Sequence, residues 1–227
     1  MTRTDAANRG LFITLEGPDG AGKTTQAALL VRALQERGIS VNETREPGGT
    51  RIGERIRDIL HDLGHQEMLS PTEVLLFAAS RAQHVGERIQ PALEAGQTVV
   101  CDRFAESTLA YQGYGRGVDL DALRRITQFA TGGLRPDLVI LLDLDASAAM
   151  ERRRRDEQSN GILRNRLDRL DASFYDQVRR GYLEMADQEP DRWLILDAML
   201  PIAMLHQAIC ERVEKLLADH GTVGDLD

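Results

Sequence analysis

The segment Gly17-Pro18-Asp19-Gly20-Ala21-Gly22-Lys23-Thr24-Thr25 constrains this chain more than any other part of it. It has the form G-x-x-x-x-G-K-[ST] and follows the apolar run Leu11-Phe12-Ile13-Thr14-Leu15. It opens a stretch in which Ala27, Leu30, Val31 and Leu34 recur at helical spacing. Strand, glycine turn and helix in that order make a phosphate cradle. Glycines let successive backbone N–H groups converge on one anion, and the helix start adds unsatisfied N–H groups and partial positive charge. Each residue from 17 to 25 is therefore a candidate for holding a nucleoside triphosphate such as ATP. Lys23 has the reach to meet the β- and γ-phosphates as a catalytic cation, and the Thr24 hydroxyl is a Mg²⁺ ligand type. The plainer alternative is a glycine-rich turn with no ligand; the agreement of strand, loop, lysine, hydroxyl and helix weighs against it.

The rest of the chain alternates in the same way. Apolar runs at 11–16, 98–101, 138–144 and 193–196 and a less apolar stretch at 40–44 read as strands, and helical patterns lie between them. The longest pattern starts at Ser70-Pro71-Thr72-Glu73 and runs to about Glu94, with Pro91 expected to kink or split it. Five strands alternating with helices, with no repeat and no linker, imply an α/β fold: a doubly wound five-stranded parallel sheet flanked by helices in one domain spanning 11–218. Residues 1–10 and 219–227 are polar and read as flexible ends. In such sheets ligands bind outside the carboxyl ends of the strands. That places the phosphate loop after the first strand, Arg45 after the second and Asp102-Arg103 after the third at one edge.

Composition serves mainly to exclude. A formal net charge of −8 argues against a general nucleic-acid binder. Cys101 and Cys210 are too far apart in sequence for a C-x-x-C site, and each reads as a reduced, buried thiol. The first ten residues have no apolar core of a signal peptide, and no segment approaches a membrane span, so the expectation is a cytoplasmic protein without membrane contact. His61 and His65 lack the glutamate of H-E-x-x-H, so a zinc reading is set aside.

Several stretches carry candidate chemistry. Thr44-Arg45-Glu46-Pro47-Gly48-Gly49-Thr50 is suited to holding an arginine and a carboxylate at a strand end, or is an ordinary Pro-Gly turn; the isomer at Pro47 is open. Phe77 and Arg81 lie one helical turn apart and can stack on and hydrogen-bond a planar base; the alternative is a core phenylalanine and a solvated cap. Asp102 stands where a metal-shell carboxylate is expected, with Arg103 beside it to neutralise a phosphate, or the two form a strand-end ion pair. Ser107, Thr108, Tyr111 and Gln112, with Gly113, Gly115 and Gly117 following, offer polar groups on a flexible backbone for reading a sugar and base. Arg152-Arg153-Arg154-Arg155, followed by Arg164, Arg166 and Arg169, is the densest cationic segment. It reads as a solvated helix face, a nucleic-acid patch, or a lid at about 152–170 that brings arginine over a migrating phosphoryl group, a role worth about 10³–10⁵ in rate.

Together these segments resemble the thymidylate kinase (dTMP kinase) family of bacterial type, over nearly the whole chain. The resemblance rests on the phosphate loop with Asp19, the T-R-E-P-G-G-T segment 44–50, Leu76-Phe77-Ala78-Ala79-Ser80-Arg81, Asp102-Arg103, Ala110-Tyr111-Gln112-Gly113 with Gly115-Arg116-Gly117, Arg135-Pro136-Asp137-Leu138, and Asp168-Arg169. It implies a P-loop, nucleoside monophosphate kinase-like fold and transfer of the ATP γ-phosphoryl to dTMP with Mg²⁺, in dTTP synthesis. It implies Phe77 stacked on thymine, Arg81 and Thr108 at the base, and Tyr111 on the deoxyribose. It further implies Arg103 on the acceptor phosphate with Asp102 as its neighbouring acid, Asp19 near the acceptor's sugar and phosphate, and a homodimer. Gly20 stands where some relatives keep a loop arginine, which shifts the catalytic arginine to the lid, with Arg154 as the candidate. The lid looks several residues longer than is usual, and Asp171 stands where glutamate is commoner. Two other readings remain beside this one: a kinase for another small acceptor, and a slowly hydrolysing nucleotide-binding regulator. The paired base- and phosphate-reading residues favour an acceptor site.

Overall fold

The computed structural model describes residues 9–160 and 172–220. Five parallel strands, β1 (Phe12–Glu16), β2 (Val41–Arg45), β3 (Thr98–Asp102), β4 (Leu138–Asp143) and β5 (Trp193–Asp197), form one sheet in the order β2-β3-β1-β4-β5. The strand patterns explain the order. β1 is buried throughout, β3 and β4 nearly so, as central strands covered on both faces must be, whereas β2 and β5 are mixed and occupy the edges.

Period-two alternation divides the core. Ile13, Leu15, Leu138, Ile140 and Leu142 face α1 (Lys23–Glu36) and α9 (Ile202–Asp219). On the other face, Val139 and Leu141 pack on α8 (Ala172–Gln188), while Phe12, Val99 and Cys101 pack on the helical segment around Ile89 and Leu93. The chain runs from β1 to β2 on one side and from β3 across to β4 on the other. β1 therefore sits at the switch point, where such sheets open a crevice.

The remaining helices are α2 (Arg51–His61), α3 (Ser70–His84), α4 (Gln90–Glu94), α5 (Ala105–Thr108), α6 (Leu120–Thr131) and α7 (Ala146–Asn160). The interruption expected near Pro91 takes the form of a π-helical turn, Val85–Ile89, which separates α3 from α4 and shifts the hydrogen-bond register just before the residue that has no N–H to give. The segment read as flexible after Ser107 is helical, α5 continuing into a π-helical stretch Leu109–Gly115. Its glycines answer packing: a Cβ on Gly115 would lie 2.5 Å from the Phe174 ring.

At the ends, Arg9 pairs with Asp137 at 2.5 Å and the Gly10 N–H donates to the Leu93 carbonyl at 2.9 Å, so ordered structure begins before the expected boundary at residue 11. Helix α9 likewise runs to Asp219. The rest of both expected flexible ends, and Arg164, Arg166, Asp168, Arg169 and Asp171 of the expected lid, lie outside the described residues.

Candidate active site

The phosphate loop joins β1 to α1. Gly17 has φ +133, and a Cβ there would come within 2.4 Å of the Leu142 carbonyl oxygen, so only glycine lets the loop leave the sheet so tightly. Lys23 is buried; its ammonium donates to the Pro18 carbonyl at 2.8 Å and stands 3.7 Å from Asp19. Burial, and then the Arg103 charge, hold its pKa below the usual lysine value. The Thr24 hydroxyl donates to Asp102 at 2.7 Å. A hydroxyl beside a carboxylate at the mouth of a phosphate loop is the hard-oxygen set Mg²⁺ takes, the rest of its shell coming from phosphates and water, so these residues fit the metal.

Arg103 lies across from the loop. It is the one non-glycine with positive φ among the described residues, at +70, a left-handed conformation that costs on the order of 1–3 kcal/mol and persists where surroundings hold it. Its guanidinium donates to Asp19 at 2.6 Å, Ser107 at 3.2 Å and the Tyr111 hydroxyl at 3.3 Å, and lies 5.1 Å from the Tyr111 ring centre. Tyr111 is buried, edge-on to Phe174 and Tyr182, so it is at once a core ring and a site hydroxyl.

Arg81 is not a solvated cap. It is 2 % exposed, donating from Nε to Glu46 at 2.8 Å and from Nη2 to the Phe104 carbonyl at 3.1 Å and Thr108 at 2.9 Å. Its Nη1 is buried with no protein acceptor. Glu46 is held in turn by His84 at 3.1 Å, whose other nitrogen meets Thr44 at 2.7 Å, and the Glu46–Pro47 bond is cis. Gly49, at φ +77, passes so close that a Cβ would lie 2.5 Å from His84. The T-R-E-P-G-G-T segment thus supports the arginine from behind, with Glu46 turned to Arg81. Phe77, half-buried, lies one turn earlier on α3. Gln112 is buried and donates to Glu73 at 2.9 Å, which also accepts from Arg116 at 2.9 Å.

Arg45 pairs with Glu54 at 2.9 Å, and Glu54 also accepts from the Gly49 N–H at 2.8 Å. Arg57, on α2, donates to the Pro47 carbonyl at 2.9 Å; burial first, then Arg45, keep its pKa down, and Asp102 and Arg103 are close enough to influence it. Sequence reading missed Arg57, Glu16, Glu73 and Tyr182, because the partners of each lie on other elements: Pro47 for Arg57, Phe104 and Ser107 for Glu16, Gln112 and Arg116 for Glu73, and Glu16 and Ser107 for Tyr182. Glu73 carried the signal of a helix start, which accounted for it without a site.

At the start of the arginine-rich segment, Arg152 reaches the loop. It donates to the Gly20 carbonyl at 3.3 Å and the Ala198 carbonyl at 2.9 Å. Arg154 instead stands exposed on α7, paired with Glu151 at 2.8 Å, and is not brought to the loop in this conformation.

A switch-point phosphate loop facing a second, arginine-lined pocket defines a P-loop nucleoside monophosphate kinase. The family described as thymidylate kinase matches residues 15–209, and the chain belongs to that family, enzymes that phosphorylate dTMP to dTDP. It is 50% identical over 216 residues to the thymidylate kinase of Desulforudis audaxviator, covering 95% of each chain. It is 51% identical over 194 residues to that of Deinococcus radiodurans, covering 86% of this chain and 91% of the relative. The crystal structure of thymidylate kinase from Ehrlichia chaffeensis superimposes with a TM-score of 0.72 at 32% identity, over 90% of this chain and 99% of that one.

Proposed function

We propose that the crevice binds ATP on the phosphate loop and dTMP on the Arg81–Arg103 side, and moves the γ-phosphoryl group between them. The observation that carries this assignment is Arg103: one guanidinium bridges the loop carboxylate Asp19 and the acceptor-side groups Ser107 and Tyr111. Arg103, with Arg45 and Arg57 near it, neutralises the acceptor phosphate. The chemistry is in-line transfer governed by position and charge. Residues 17–25 hold the triphosphate, Lys23 steadies the charge that builds on it, and Thr24 with Asp102 would hold Mg²⁺, which supplies charge neutralisation between the phosphates.

On the base side, the free Nη1 of Arg81 supplies the donor that a thymine carbonyl needs, Phe77 the stacking ring, and Thr108, Gln112 and the Glu46–Pro47 turn its surroundings. The Arg152 guanidinium, beside Ala198 and Met199, offers a flat platform for the adenine ring. The lid at about 152–170 brings a further arginine over the transferred group, with Arg154 the candidate once the lid closes.

The chain is proposed to work in the cytoplasm as a homodimer; no helix of the described residues is long and apolar enough to cross a membrane. Helices α2, α3 and α6 pack side by side and leave Ile52, Ile59, Leu69, Leu75 and Phe129 in solvent, Phe129 at 89% exposure, which suits burial against a second copy.

ADP release measured with dTMP, dUMP, UMP, dCMP and thymidine tests the reading. dTMP is expected to be preferred, with dUMP next because one methyl group is worth roughly 1–3 kcal/mol. Equal rates across the series would sink it.

A further inference from the structure

Glu16, the last residue of β1, is fully buried and is joined to Arg103 by hydrogen bonds only through Ser107. Its Oε1 accepts from the Phe104 N–H at 2.8 Å, and its Oε2 from the Ser107 hydroxyl at 2.6 Å and the Tyr182 hydroxyl at 2.8 Å. Ser107 in turn accepts from Arg103 Nη1 at 3.2 Å. A carboxylate can only accept, so both hydroxyls must spend their protons on Glu16. The Ser107 lone pairs are thereby left to face Arg103, and the chain Arg103→Ser107→Glu16 has a single direction in which each bond strengthens the next. Phe104 follows Arg103 directly, so the same carboxylate also pins the backbone of the residue whose φ is +70.

We propose that Glu16 is a positioning residue for the acceptor phosphate: it fixes Arg103 in its phosphate-facing pose and links that pose, through Tyr182, to helix α8. This rests on the reading that Arg103 meets the dTMP phosphate. Around Glu16, Arg103 and Lys23 face it with positive charge, Glu106 on α5 with negative charge, and Tyr182 and Cys101 as neutral neighbours. Burial first, and then Glu106, push the Glu16 carboxyl up to about 7. A proton on Glu16 would have to be donated, and the chain would lose its direction.

The test is calorimetric binding of dTMP and of thymidine from about pH 5.5 to 8.5, to wild type, Glu16→Gln, Tyr182→Phe and Arg103→Lys. In wild type, dTMP affinity is expected to fall as pH is lowered through about 7, where Glu16 takes up its proton, in addition to the phosphate's own ionisation near pH 6. Glu16→Gln should weaken dTMP binding about 10-fold at pH 8, lose the step near 7 and keep the one near 6. Thymidine and ATP binding should change in none of these ways, and Tyr182→Phe should weaken dTMP by a smaller factor. A wild-type profile with only the phosphate's ionisation, or an equal loss for thymidine, overturns the proposal, and the wild-type arm stands even if a variant fails to fold. Arg103→Lys with unchanged dTMP affinity would overturn the underlying reading instead.

Discussion

Thr24 and Asp102 meet at 2.7 Å, which ties the first turn of α1 to the last residue of β3 across the mouth of the phosphate loop. Register makes this possible: Asp102 lies beside Leu15 on the neighbouring strand, two residues before the chain enters the loop. The pair is the set proposed to hold Mg²⁺. Asp102→Asn keeps the size and removes the charge, so turnover should fall about 100-fold or more, with raised Mg²⁺ requirement and little change in dTMP affinity. A Mg²⁺ titration of initial rate checks it; an unchanged midpoint would remove Asp102 from the metal.

Lys23 and Arg81 should separate kinetically. The Lys23 ammonium is anchored on the Pro18 carbonyl inside the loop, on the donor side. Lys23→Ala is expected to lower kcat by about 100-fold or more while leaving the dTMP dissociation constant within about a factor of three.

Arg81 is proposed for the other half of the crevice, and its three bonded contacts leave Nη1 without a protein acceptor. Arg81→Ala would strand Glu46, a buried carboxylate, so Arg81→Lys is the cleaner change: it keeps the charge and loses the fork. The expected result is dTMP binding weakened about 10- to 100-fold, with ATP binding unchanged. Equal affinity in the variant would take Arg81 away from the base.

If the α2–α3–α6 face joins two copies, Phe129 is its most exposed anchor. Phe129→Asp places a charge on that face and should shift the mass measured by light scattering from dimer to monomer at micromolar concentration. Leu200→Asp, on an apolar position outside the three helices, should leave the mass unchanged.

The sequence made the donor half far more legible than the acceptor half, for a physical reason. A phosphate loop is local: residues 17–25 supply turn, cation, hydroxyl and helix start within one contiguous segment. The strands were equally readable, because β3 and β4 are apolar runs buried on both faces. The acceptor pocket is assembled from separate elements, so Phe77 and Arg81 could be paired by helical spacing, but their support could not. His84 behind Glu46, Glu73 behind Gln112 and Tyr182 behind Ser107 are contacts across 38, 39 and 75 positions. The helical course of 105–115 was hidden for another reason: its glycines read as freedom when they are close-packing positions under Phe174 and Leu120.

Glu16 also predicts a pH dependence of stability opposite to the one most carboxylates give. Its folded pKa lies above its ordinary value, at about 7 against 4.5. Below about 4.5 it is protonated in both states and contributes no difference. As pH rises from there towards 7, the unfolded chain releases the proton while the folded chain retains it, so stability falls through that window and levels off above it. With about 1.4 kcal/mol per pKa unit, the loss is on the order of 3 kcal/mol. Glu16→Gln has no such group, so its stability relative to wild type should rise by that order between pH 4.5 and 8, read from urea midpoints at each pH. A constant difference across the range would mean that Glu16 ionises in the folded protein as it does in the unfolded chain. The burial that makes this carboxylate costly to ionise is what lets it direct Ser107 and Arg103 without competition from water, so the upper end of the stability slope and the midpoint of the dTMP affinity step should coincide near pH 7.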